Sequence, residues 1–103
     1  METNVINLCG TIDYADGAIV SKEFVHTQGG SLTLFAFDEG QGLSEHSAPF
    51  DAIVQIIEGE AEIRIDGQPF HPHAGDMLIM PANHPHSVHA KKRFKMLLTM
   101  IRG

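Results

Sequence analysis

Seven histidines stand in this chain of 103 residues, and four of them fall in two His-Pro-His triplets, His71-Pro72-His73 and His84-Pro85-His86. A neutral imidazole offers one lone pair to a metal ion or to a hydrogen-bond donor, so rings brought together inside a fold would make a metal centre or a polar anchor. Number alone decides nothing; spacing and the faces on which the rings fall do. Met80, Met96 and Met100 add soft thioethers, which with imidazoles would suit copper, although core packing accounts for them more simply. Cys9 is the single cysteine and has no basic sequence neighbour to activate it.

The bulk composition narrows the classes of function. Thirteen acidic against seven basic residues leave a formal charge of -6, which argues against a phosphate backbone or an anionic membrane surface as partner. The one basic run, Lys91-Lys92-Arg93, reads as a solvated loop. A lone cysteine excludes an intrachain disulfide and fits a reducing cytoplasm. No apolar run approaches the roughly 20 residues of a bilayer span, and no basic-then-apolar leader opens the chain, so a soluble, unprocessed protein is expected. With 43% hydrophobic residues, positions 1–103 suit one domain with one core.

The elements that must position these side chains are strands. Apolar residues never recur at three and four over a helix length, whereas short apolar runs punctuated by glycine and proline recur throughout. The expected strands are Ala18 to His26, Leu32 to Phe37, Ile53 to Ile57, Glu60 to Ile65, Gln68 to His71, Met77 to Met80, Ser87 to Ala90 and Phe94 to Ile101, with a turn-rich segment leading to His46. Asp66-Gly67 is a tight-turn signal. The last strand is apolar on both faces, which predicts a closed barrel or a partner subunit over one sheet.

Two segments, 40–59 and 75–90, carry a family resemblance. In the first, Gly40 is followed by five residues and His46, and a second glycine falls at Gly59; in the second, Gly75, Pro81 and His86 hold a fixed register. This pattern resembles the two motifs of the cupins, the small single-domain kind, and it covers about half the chain. The resemblance implies an all-β, antiparallel jelly-roll β-barrel, the double-stranded β-helix. Asn83 replaces a family glycine in a turn that wants positive φ, which asparagine tolerates. Ala90 replaces the closing asparagine of the second motif.

In cupins with an intact site, three imidazoles and a carboxylate hold zinc, nickel, iron, manganese or copper. Carried over residue by residue, the resemblance retains His46 and His86 as ligands, while Ala48 takes the place of the second histidine and Ala52 that of the glutamate. Asp51 and Gln55 lie one strand step out of phase with the missing positions, so they should point to the other face. His84 is a third candidate ligand, presented by a loop; His26, His71, His73 and His89 read as ordinary strand or surface residues.

Three readings of the His46 and His86 pair stay open: interior histidines hydrogen-bonded to backbone or water, polar anchors for a small molecule beside Ala48 and Ala52, or a divalent metal site completed from elsewhere. The function expected is a small-molecule-binding barrel, non-catalytic or weakly catalytic. The alternative is a metal-dependent enzyme of the oxygenase or isomerase kind. A regulatory cupin would bring a DNA-binding segment, and no helix-turn-helix pattern accompanies these motifs. A homodimer is expected, as in similar small cupins, because the outward Ile53 and Ile57 need cover; sedimentation as a monomer at micromolar concentration would refute it.

Overall fold

A computed structural model describes residues 3–102. Turn residues cut the described residues into nine strands: β1 (Ile19–Thr27), β2 (Gly30–Phe37), β3 (Gly42–His46), β4 (Asp51–Glu58), β5 (Glu62–Ile65), β6 (Gln68–Phe70), β7 (Met77–Met80), β8 (His86–His89) and β9 (Phe94–Ile101). A five-stranded sheet runs β1-β2-β9-β4-β7 and a four-stranded sheet runs β3-β8-β5-β6, every pairing antiparallel. This is the expected jelly-roll barrel.

Local chemistry explains the turns. Asp66 and Gly67 both hold positive φ, 52° and 78°, and join Ile65 to Gln68 as a two-residue hairpin, the turn geometry that matches the twist of paired strands. Asn83 sits at φ 65°, so the left-handed conformation survives the replacement of the family glycine. Gly59, at φ 79°, closes β4 where a Cβ would lie 2.6 Å from the carbonyl oxygen of Arg93, so only glycine lets that turn lie against the start of β9.

Period-two alternation places Ala52, Val54 and Ile56 of β4 and Phe94 and Met96 of β9 inside the barrel, with Phe37 stacked on Phe94 at a centroid distance of 4.6 Å. Fully burying each such large side chain contributes about 1.5–3 kcal/mol. The opposite face of the same sheet carries a second apolar cluster of Ile12, Leu34 and Ala36, flanked by Leu8, Tyr14, Phe24, Ile57 and Leu97.

One difference from the sequence reading is that Ile57 is covered from within the chain. A short helix, α1 (Leu8–Thr11), capped by the Asn7 side chain, leads the N-terminal segment across the sheet, so Ile57 and Leu97 are packed by the chain itself. Lys95 secures the segment: it is 5% exposed, and its Nζ donates to the carbonyl of Cys9 at 2.6 Å and lies 3.8 Å from the Glu58 carboxylate. Tyr14 donates its hydroxyl to that same carboxylate. A buried ammonium requires such partners.

The second difference is β3, which the sequence presents as a turn-rich stretch. Gly42 makes the pairing possible, because a Cβ there would lie 2.4 Å from the Val88 carbonyl oxygen. Only Leu43 in the strand is apolar, so no alternating pattern announces it. The basic run forms the exposed connection between β8 and β9, as expected, with Lys91 beside Glu62 and Arg93 bonded to Asp38. Among the described residues no helix is long and apolar enough to cross a membrane.

A paired-imidazole candidate site inside the barrel

His46 reaches the interior through an irregularity. Leu43 pairs with Val88, but the next pairing is His46 with His86, so β3 spends three residues where β8 spends two. The extra residue is a β-bulge, and it reverses the parity of the strand so that His46 turns to the same side as Leu43. His86 shares the inward face of β8 with Val88 and is 7% exposed, whereas His46 stands at the open rim.

The two rings meet at their Nε2 atoms, 3.1 Å apart, with centroids 4.3 Å apart and planes at 69°. Each is held from behind: His46 Nδ1 lies 2.8 Å from the Ser44 carbonyl oxygen, and His86 Nδ1 lies 3.2 Å from that of His84. Such hydrogen bonds fix both tautomer and ring orientation.

The pair borders a cavity of about 190 Å³. Ala48 and Ala52 line it, as do Met80, Met96 and Met100 and the phenyl ring of Phe50. Register explains the neighbourhood of Ala52: it pairs with Met80 of β7 on one side and Met100 of β9 on the other, so the position of the family carboxylate lies between two thioethers on the inward face. Leu43, Phe50 and Val88 also face this space, and sequence reasoning passed over them. The signal for Val88 was its two-residue offset from His86; β3 gave none for Leu43.

The remaining histidines lie elsewhere. His84 turns its Nδ1 to the Asp66 carboxylate at 2.7 Å, away from the cavity. His73 pairs with Asp76, His26 with Glu23, and His71 and His89 are exposed. Asp51 faces outward and accepts the backbone N–H of Ala82, and Gln55 is exposed, as parity required.

Does the donor set fit the metal that the cupin motifs imply? Two Nε2 atoms this close could share an ion, but zinc and octahedral metals generally take at least three protein ligands. Ala48 and Ala52 supply none, and among the described residues no group of three or more His, Cys, Asp or Glu side chains is placed to hold a metal ion. The residues present do not fit the four-ligand centre.

Burial holds the His86 pKa below its ordinary value; the His84 carbonyl works against that shift, and nearby His46 adds to it. The native state therefore binds fewer protons than the unfolded chain once the pH drops below the ordinary histidine value of about 6.5. Stability from this group is complete above that pH and is lost on acidification. Urea midpoints between pH 7.5 and 5 are expected to fall more steeply in the parent than in a His86→Gln variant; parallel profiles would show that His86 is not buried as a neutral ring.

An antiparallel jelly roll with imidazoles at these two motif positions defines a cupin. The cupin domain family model matches residues 33–101, and the chain belongs to that family. Among solved structures, it is similar to a conserved protein of unknown function from Streptococcus pyogenes (33% identity, TM-score 0.94), covering 100% of this chain and 90% of that one. A cupin 2 conserved barrel domain protein from Leptotrichia buccalis matches at 38% identity and TM-score 0.91, over 94% of this chain and 47% of that one. A cupin superfamily protein from Desulfitobacterium hafniense matches at 27% identity and TM-score 0.92, over 100% and 94%. No match is found among the curated proteins.

Proposed function

We propose that this cupin binds a small, largely apolar organic molecule within its barrel and is non-catalytic or weakly catalytic, with His46 and His86 as the polar contact. The observation that carries the reading is a cavity of about 190 Å³ in which two imidazoles are, among the described residues, the only ionisable side chains set into aliphatic, thioether and phenyl walls. Apolar walls with a few placed polar groups are the usual composition of a small-molecule site. Replacement of a ligand pair by Ala48 and Ala52 leaves the room that such a guest would fill.

The 3.1 Å approach of the Nε2 atoms favours a second reading, a divalent-metal-dependent oxygenase or isomerase whose further ligand comes from outside the chain. Elemental analysis of purified protein separates the two. Substoichiometric metal is expected; one tightly held transition ion per chain would overturn the first reading. Metal content unchanged in both His46→Ala and His86→Ala would end the second.

A further inference from the structure

We infer that Phe50 is the size-selecting gate of the cavity: its ring divides the interior space from an outer cleft and confines the guest to about one six-membered ring, an assignment that rests on the cavity being a binding site.

One residue borders two spaces. Phe50 lines the interior cavity of about 190 Å³ and also a surface cleft of about 260 Å³, whose other walls are Pro49, Asp51, Ala82 and Ile101. Among the described residues it is the one wall that the two have in common. Parity explains this: Ala48, Phe50 and Ala52 border the cavity at two-residue steps leading into β4, whereas Pro49 and Asp51 between them face the cleft. The bulky member of that row therefore stands between the two alanines that occupy the family ligand positions.

The backbone around the ring is pinned, so the gate works by side-chain torsion. The Asn83 N–H donates to the Ala48 carbonyl at 2.7 Å, and the Ala82 N–H donates to the Asp51 carboxylate at 2.9 Å, which ties both flanks of Phe50 to the connection between β7 and β8. The ring itself is half-buried, and the Arg102 guanidinium carbon lies over it, 5.3 Å from its centroid. Arg102 is anchored in turn, its backbone N–H donating to the Gly29 carbonyl at 2.9 Å. A cation over a ring face at an exposed site holds the ring closed by a factor of about two to five.

Size follows from the partition. A dry cavity of about 150 Å³ accommodates benzene, so about 190 Å³ behind the closed gate takes one six-membered ring with a small substituent. Two rings joined end to end need the cleft as well. Phe50 stands between the two spaces, so the second ring enters only when the phenyl group swings aside.

The test uses the full chain with 13C-labelled methionine methyl groups, because Met80, Met96 and Met100 line the cavity. It is titrated with benzyl alcohol and with 4-phenylbenzyl alcohol, which differ by one ring. In the parent the one-ring probe is expected to bind about tenfold or more tightly, against the hydrophobic trend, which favours the larger molecule. In Phe50→Ala the order is expected to reverse, with the two-ring probe ahead by about tenfold or more. Arg102→Gln is expected to raise the affinity for the two-ring probe about two- to fivefold, the closure that the cation supplied. A parent that already prefers the two-ring probe would overturn the gate while leaving the cavity a binding site, and so would a Phe50→Ala variant that keeps the parental order. An unchanged affinity in Arg102→Gln would overturn the hold assigned to Arg102. Silence of the methyl signals toward both probes, in the parent and in Phe50→Ala, would overturn the binding reading itself. The parent comparison and the exposed Arg102→Gln position decide the matter even where Phe50→Ala does not fold.

Discussion

A double variant, Ala48→His with Ala52→Glu, is expected to hold one divalent transition ion per chain where the parent holds a substoichiometric amount. The backbone is already in place: His46 and His86 converge, and Ala52 projects inward between Met80 and Met100. The cavity of about 190 Å³ offers the volume that the two longer side chains need. Without metal the variant is expected to lose a few kcal/mol, the cost of placing a carboxylate among apolar walls without a full set of partners. Adding zinc or nickel at about one hundred times the dissociation constant returns about 2.7 kcal/mol through linkage. Elemental analysis and thermal melts with and without metal read both effects. A folded double variant with parental metal content would mean that positions 48 and 52 do not face the imidazole pair.

That experiment depends on register, and register is where the sequence was most informative. Glycines at 40, 59 and 75, Pro81 and two histidines agree in spacing, and each reports a backbone need or a fixed distance that side-chain exchange cannot disguise. Asn83 followed the same logic: the conformation was legible although the glycine was gone. The strands that sequence pattern places correctly, such as β4 and β9, are those whose apolar residues face a core.

What stayed hidden had weak or non-local causes. β3 consists of Gly42, Leu43 and three polar residues, and it is a strand because Gly42 admits the Val88 carbonyl, a contact 46 positions away. The bulge that turns His46 inward is likewise a property of the pairing with β8 and of no local residue. The greasy outer face of β9 did signal a cover, part of which residues 8–14 of the same chain provide, and nothing in the local pattern named that segment.

Replacing Phe94 by alanine is expected to cost about 3–5 kcal/mol, the range for a buried phenylalanine whose cavity cannot collapse. Collapse is blocked on three sides. Phe37 stacks flat on the ring at 4.6 Å, β9 is hydrogen-bonded to both β2 and β4, and the Gly59 turn already lies against the Phe94 backbone. A domain of this size commonly has only 5–15 kcal/mol in total, so the variant sits near the edge of folding at 37 °C. Ile101→Ala, at the exposed end of the same strand, is the control, with a loss within about 0.5 kcal/mol. Urea unfolding gives both values; a Phe94→Ala loss below about 1.5 kcal/mol would show that the barrel can repack around the gap.

The position of β9 also governs when the protein can form. It comes after the other eight described strands in chain order, yet it lies at the centre of the larger sheet, with β2 on one edge and β4 on the other. Until Ile101 has left the ribosome, β2 and β4 have no common neighbour, and hairpin-like pairs such as β1 with β2 can only wait. Pairings between such distant parts of a chain are slow to close and leave strand edges open meanwhile. A nascent chain stalled before residue 94 would therefore leave the β1–β2 and β4–β7 pairs of the larger sheet unjoined, with open edges exposed to aggregation, and the eight residues of β9 act as the keystone of the barrel.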